Sequence, residues 1–360
     1  MKRLPTARLL SACAGAALAF AAAGALAQVD ALPMIDTHTH LNFVRKGRGP
    51  LVMDFPASVA GALGRMDAAG FRRAIIMPQP SPPEAANAWE IERLDFALAQ
   101  YPARIARGGG GGTLNPMIQA TPVAAVDEAV RAKFRALATA IADQGAVVFG
   151  EVTAHHLSMK AMGPQHAYQW VPADHPLLLL LADISAERGI PIDLHLDFVP
   201  EDMARPGRPL FNDKTPLNLK ANAAAFERLL AHNPKAVFVW AHAGTDPLRT
   251  RTLALQRALL AKYPNLYMSL RLARGAPHPV IALDEGQGIK RPWVALLREF
   301  PDRFVLGTDF FHGPAGEDGR GVETDSLGNY RIALTSLPRE LAEAIAWRNA
   351  ERIYRLKAAR

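Results

Sequence analysis

The chain has 360 residues, 49% of them hydrophobic, and carries 41 Lys and Arg against 34 Asp and Glu for a formal charge of +7. That balance is too mild for a nucleic-acid footprint, and no Lys/Arg block interleaved with aromatics occurs. A single cysteine excludes an internal disulfide, so the fold must be held by its core, for which the chain is long enough.

Lys2, Arg3 and Arg8 precede or open a small and apolar run, Leu9 to Leu26, and Ala25-Leu26-Ala27 stands before Gln28. A basic segment, an apolar segment and a small-residue cleavage site make a secretory signal peptide. This predicts cleavage after Ala27 and a periplasmic or secreted protein with no membrane association afterwards. The run is Ala-rich and marginal in length for a membrane anchor. A lipobox at Leu10-Ser11-Ala12-Cys13 would need the apolar run before the cysteine, and nearly all of it follows. Removing residues 1–27 takes away three basic residues, no acidic one and the sole cysteine, lowering the formal charge from +7 to +4. Residues 28–360 are expected to form one domain.

Met34 to His40 reads as a strand ending in two histidines one residue apart. Alternate strand residues share a face, so His38 and His40 point the same way and can grip one divalent cation. Leu41 to Ala57 reads as loop, Val59 to Ala69 as helix with Gly70 at its C′ position, and Arg73 to Pro78 as the second strand. Ala85 to Gln100 is a predicted helix. Arg104 to Arg107 is a short third strand running into five glycines, Gly108 to Gly112. These glycines could cradle a phosphate, but no Lys-Ser/Thr pair opens the next helix, so a flexible turn is expected.

Thr121 to Asp143 is a predicted helix, and Ala146 to Glu151 is the fourth strand, ending in a carboxylate. Leu177 to Arg188 is helix capped by Gly189, Pro191 to His195 the fifth strand, Leu219 to His232 helix, and Ala236 to His242 the sixth strand. Pro247 to Tyr263 reads as helix with Pro247 near its first turn, followed by Asn265 to Arg271 as the seventh strand. Pro292 to Phe300 is helix, Phe304 to Asp309 the eighth strand, and Leu337 to Leu356 the final helix.

Eight strands alternating with helices is the pattern of a (β/α)8 TIM barrel. A doubly wound sheet shares the alternation, but no dinucleotide fingerprint appears, and polar residues end at least six strands. The segments after strands four, five, seven and eight (152–176, 197–218, 272–291 and 310–326) are long, as expected of loops at a catalytic face.

Six candidate ligands stand at strand ends: His38, His40, Glu151, His195, His242 and Asp309. Singly, each is as well explained by a helix cap or a solvent-facing residue. Together, five strands delivering such groups to one level point to a metal, because burying them unpaired is costly. His155, His156, His166, His175, His278 and His312 fall in loops and His232 at a helix end. For these a surface position is expected, with His278 and His312 kept as weak substrate contacts. Met159, Met162 and Met203 are expected to pack loops. Arg271, ending strand seven, could clamp a substrate carboxylate or phosphate with its bidentate fork, or could face a helix or solvent.

Ile35-Asp36-Thr37-His38-Thr39-His40, the strand-four glutamate, the histidines ending strands five and six, and Gly307-Thr308-Asp309 resemble the amidohydrolase superfamily of metal-dependent hydrolases, in particular its amidohydrolase-related branch. Ala346 to Tyr354 is similar to that branch's final helix. The resemblance implies a metal at His38, His40 and Asp309. In binuclear members a strand-four carboxylate bridges to a second metal held by the strand-five and strand-six histidines, here Glu151, His195 and His242. In mononuclear members, including decarboxylases, the strand-five histidine completes one site and Glu151 would be spare. Zinc suits the donor set, though manganese, nickel or iron fit the same ligands, and one or two ions are possible, with two favoured. Asp309 would move protons for a metal-activated water, and His242 would ligate or face the developing oxyanion.

The expected activity is hydrolysis of an amide, ester, lactone or phosphoester bond in a small molecule. The alternatives are a mononuclear non-oxidative decarboxylase, and a metal- or solute-binding protein without turnover. A nuclease is disfavoured by the mild charge. The sequence does not specify the oligomeric state.

Overall fold

A computed structural model describes residues 32–45, 51–85, 88–207, 209–272, 278–286, 288–316 and 327–357. The expected signal peptide, residues 1–27, and most of the segment after the eighth strand lie outside the described residues.

Among the described residues, eight parallel strands close on themselves: β1 (Met34–Leu41), β2 (Phe71–Ile76), β3 (Ile105–Gly110), β4 (Val148–His156), β5 (Ile192–Leu196), β6 (Phe238–Ala243), β7 (Leu266–Leu270) and β8 (Phe304–Leu306). Each pairs with the next, and Asp36 of β1 lies beside Leu306 of β8, which shuts the ring. A closed parallel barrel has no free edge.

One apolar cluster joins Ile35, Ile75, Ala106, Val148, Val239 and Val305 with Ile353, Tyr354 and Leu356 from the chain's end. Residues from β1, β2, β3, β4, β6 and β8 meet only in the barrel interior, so the C-terminal segment packs onto that interior layer. A larger cluster lies between the strands and the surrounding helices, with Trp240, Phe149 and Trp293 fully buried.

Local chemistry sets the helices. Helix α1 (Phe55–Ala69) starts at Asp54, whose side chain accepts from Ala57 N, and ends at Gly70 with φ 81°. Helix α4 (Glu128–Asp143), which follows α2 (Asp95–Gln100) and α3 (Leu114–Ala120), is capped by Asp127 and buries Phe134, Ala138 and Ile141 along one stripe. Helix α5 (Pro176–Arg188) carries Pro at its first position and Gly189 at φ 64° after its end.

Several expectations are corrected. The stretch from Ala85 is not one helix to Gln100 but a 3-10 turn at Ile91–Leu94 followed by α2. The helix expected from Thr121 begins only at Glu128, because Asp127 supplies the cap. Ala223–His232 (α6) starts four residues later than expected. Pro247 is not in a first turn: α7 (Leu253–Lys262) starts after Thr252, whose hydroxyl accepts from Leu255 N. Beyond α8 (Arg291–Glu299) and α9 (Gly328–Thr335), the final helix is interrupted by a π turn at Ala344–Arg348.

The glycine run is not a flexible turn. Gly108, Gly109 and Gly110 belong to β3, and a methyl group on Gly112 would lie 1.8 Å from the Trp89 carbonyl oxygen. These glycines allow backbones to approach closely rather than to move. Gly112→Ala is therefore expected to destabilise the fold by about 1–3 kcal/mol through overpacking, or by more if the Trp89 segment cannot shift. Urea denaturation of the variant beside the parent checks this.

Candidate metal centre

All eight residues of β1 are buried. Asp36 fixes where this strand meets the chain beyond β8: its carboxylate accepts from Thr308 N (3.0 Å), Thr308 Oγ1 (2.6 Å) and His38 N (3.1 Å). Asp309 N then donates to His38 O at 2.8 Å. A methyl group on Gly307 would come within 3.0 Å of His38 Cβ, so glycine is what lets the two segments close.

The six candidate ligands converge. His38 Nε2 and His40 Nε2 are 3.1 Å apart. Glu151 Oε2 lies 3.5 and 3.3 Å from them, and Asp309 Oδ1 lies 3.8 and 3.5 Å from them. The other oxygen of the same glutamate, Oε1, is 2.8 Å from His195 Nδ1 and 3.4 Å from His242 Nε2, which are 3.1 Å from each other. A cation bonded at about 2.1 Å to tetrahedral donors holds those donors roughly 3.4 Å apart. Two such sets share Glu151, one with His38 and His40 and one with His195 and His242; these and a third group, His38, His242 and Asp309, could hold a metal ion.

Hydrogen bonding gives the same answer. His40 Nδ1 faces the Met77 carbonyl at 3.0 Å, so it carries the proton and Nε2 is left with a lone pair. His38 Nδ1 faces Asp193 Oδ1 at 3.0 Å, and His195 Nε2 faces Asp197 Oδ2 at 3.3 Å. The nitrogens left over point at other lone pairs or at a carboxylate, an arrangement that positive charge between them, a proton or a cation, makes favourable. His242 Nδ1 is buried and has no hydrogen-bond partner among the described residues.

The electrostatics agree. Burial alone would lower the imidazole of His40, but hydrogen bonds to Asp309 and Glu151 outweigh it and push its pKa up to about 9. For His195, burial is likewise outweighed, by Asp197 and Glu151, and its pKa rises to about 10. His38 is driven well above the ordinary value by Asp193 and Glu151 against its own burial. Asp309, which burial would raise, is held well below the usual carboxylate range by the Arg271 guanidinium, His242 and His40. A pocket that stabilises positive charge on three buried imidazoles is one that could accept a cation. His242 is the exception: burial keeps it neutral, with a pKa near 3.

Backbone strain is concentrated here as well. His242 (φ 65°) and Asp309 (φ 54°) occupy the left-handed region, which costs a residue other than glycine about 1–2 kcal/mol.

Glu151 is not the last residue of its strand, as the sequence suggested. Strand β4 continues to His156 because its end pairs with Gln169–Trp170, and its ladder with β5 is irregular between Phe149 and Val152, beside Glu151. His155 and His156 are consequently not surface residues. His155 is fully buried, and His156 packs 4.6 Å from both His195 and His166. His175 and His312 are also buried, His175 as the cap of α5 and His312 against Phe310. His166 is half-buried in the cavity wall, while His232 is exposed as expected.

The centre opens into a cavity of about 550 Å³ lined by Glu151, His195, His242, Asp309 and Arg271, with Met159 and Met162 on its wall. Arg271 faces Asp309 Oδ2 at 3.3 Å rather than solvent or a helix. Sequence reasoning missed Asp36, Asp193 and Asp197. Asp193→Asn removes the charge that polarises His38 and is expected to weaken metal affinity about 10- to 100-fold, as checked by competition with a chromogenic chelator.

The amidohydrolase family model matches residues 35–356. No curated protein matches the chain. Similar solved structures include a probable 2-pyrone-4,6-dicarboxylic acid hydrolase from Acinetobacter baumannii (13% identity, TM-score 0.46, covering 90% of this chain and 99% of that one). A 4-oxalomesaconate hydratase from Rhodopseudomonas palustris is 14% identical with a TM-score of 0.49, covering 89% and 95%. A metallopeptidase from Rhodobacter sphaeroides is 13% identical with a TM-score of 0.46, covering 91% and 99%.

Proposed function

The chain belongs to the amidohydrolase family, and from that premise we propose that it is a metal-dependent hydrolase of a small molecule with two cations, one held by His38, His40, Glu151 and Asp309 and the other by Glu151, His195 and His242. The observation that carries this reading is the division of Glu151: each of its two oxygens faces a separate pair of histidines. A mononuclear decarboxylase would have no use for that sharing, and a storage protein no use for a strained Asp309 beside the cavity.

Bound cations, zinc by the donor set, supply Lewis-acid polarisation and lower the pKa of a water to about 7. The chain's own residues do the rest. Asp309 is ionised and takes the proton released as water attacks the scissile carbonyl or phosphoryl centre. It then passes that proton to the leaving group. Arg271 steadies the Asp309 carboxylate through the 3.3 Å contact. Asp193 and Asp197 fix the rings of His38 and His195. His242, neutral at its lowered pKa, offers Nε2 as a ligand.

The test is an activity screen of the metal-restored protein on ester, lactone, amide and phosphoester panels, with release of carbon dioxide from aromatic acids measured in parallel. Hydrolysis dependent on metal supports the reading; decarboxylation with one ion per chain overturns it. Chelation is also expected to lower Tm, since an ion at 1,000 times its Kd stabilises the native state by about 4 kcal/mol; differential scanning calorimetry with and without chelator reads this. We further propose that residues 1–27 direct export, which N-terminal sequencing of the protein recovered from its host checks.

A further inference from the structure

One charge on the cavity wall lies outside the donor set and has no partner among the described residues. Asp246 accepts from Leu248 N (2.9 Å) and Arg251 N (2.7 Å) and lies in the field of the buried Arg251 guanidinium. Arg251 in turn donates to the Ala241 carbonyl at 2.6 Å and lies 3.9 Å over the Trp240 ring, so it is part of the framework. Asp309 faces Arg271, and Asp197 faces His195. Arg249 lines the same cavity, is half-buried, and has neither a hydrogen bond nor an ion pair among the described residues.

Its backbone is also the third in this region to adopt a left-handed conformation, at φ 65°. Backbone strain of this kind clusters at active sites and ligand clamps. The turn leading from His242 to α7 carries strain and presents an unpaired guanidinium to the cavity. A guanidinium offers a planar fork that matches a carboxylate or phosphate. The rest of the lining includes Leu157, Leu196, Leu210, Ile281 and Phe311, which suit an apolar body.

We propose that Arg249 anchors an anionic group of the substrate, a carboxylate or phosphate set apart from the bond that is cleaved, in the cavity whose lining also includes Arg271. The chain then acts on small molecules that carry a permanent negative charge on an apolar body. Calling the ligand a substrate rests on the hydrolase reading; the anion site itself does not require turnover.

The experiment is calorimetric titration of the full chain, its metal content first measured, with glutarate, inorganic phosphate and neutral glutaramide. Parent, Arg249→Gly and Arg249→Lys are compared. Glycine relieves the left-handed φ, so Arg249→Gly is expected to keep or raise Tm, and lost binding cannot then be charged to misfolding. One anion is expected to bind the parent and glutaramide not to bind. Affinity falls at least tenfold in Arg249→Gly and less in Arg249→Lys, with metal content unchanged, and the anion preferred tells carboxylate from phosphate. Equal anion affinity in parent and Arg249→Gly, no binding of either anion, or glutaramide binding as well as glutarate overturns the proposal. Arg249-dependent binding in a chain that takes up no metal would sustain the anion site and remove the metal-centre reading.

Discussion

Asp309→Asn is expected to lower kcat by about 100- to 10,000-fold, the usual range for a lost proton-transfer group, with little change in KM. Asparagine has the same shape and tolerates the left-handed backbone found at this position, so the variant should fold. What it loses is the negative charge that accepts a proton from the attacking water. The set formed by Glu151, His195 and His242 does not include Asp309, and at least one ion per chain should remain. Steady-state kinetics on the substrate found by screening, with elemental analysis of the same sample, check both halves. Parent-like turnover in this variant would end the proton-transfer role.

Glu151→Gln should have the second large effect, on the metal content itself. The side chain is almost fully buried, and both oxygens are in use: Oε2 toward His38 and His40, Oε1 toward His195 and His242. Glutamine offers one oxygen and one NH2 group, and the latter cannot bind a cation. One ion of two should therefore be lost, together with turnover. Removing one partner of a buried charge pair typically costs about 3–5 kcal/mol, so the midpoint of urea denaturation should fall as well. His38→Ala with His40→Ala should empty the other set and leave the ion at His195 and His242.

Much of this site is legible in the sequence because barrel strands deliver their last residues to a common mouth. His38, His40, His195, His242 and Asp309 stand where apolar runs stop, and the strand pattern alone brings them together. The second row of aspartates is less legible, because its role is set by hydrogen bonds between strands. Asp193 reaches His38 of β1, and Asp36 reaches Thr308 beyond β8. A partial signal is present: Asp193 and His195 alternate along β5, which puts both on one side, and Asp197 follows just past its end. His155 and His156 are not legible as buried because the extension of β4 depends on pairing with Gln169–Trp170, and two short stretches give no periodicity to read. Arg249 has no sequence signal at all; its φ and the lack of a partner for its head group among the described residues are seen only in the folded chain.

The glycine run teaches a related lesson. From sequence, five consecutive glycines suggest freedom of the backbone, whereas in the fold they mark where Met77, Pro78 and Trp89 press against β3 and the turn after it. Glycine permits close approach as readily as it permits motion, and which of the two applies depends on neighbours remote in the chain.

The central claim is that one buried glutamate joins two cation sites at the mouth of the barrel. Its most direct test is the number of ions bound per chain, measured by elemental analysis of parent and Glu151→Gln protein after metal restoration and removal of excess metal. The account predicts two in the parent and no more than one in the variant. One ion or none in the parent, or the same number in both proteins, would contradict it.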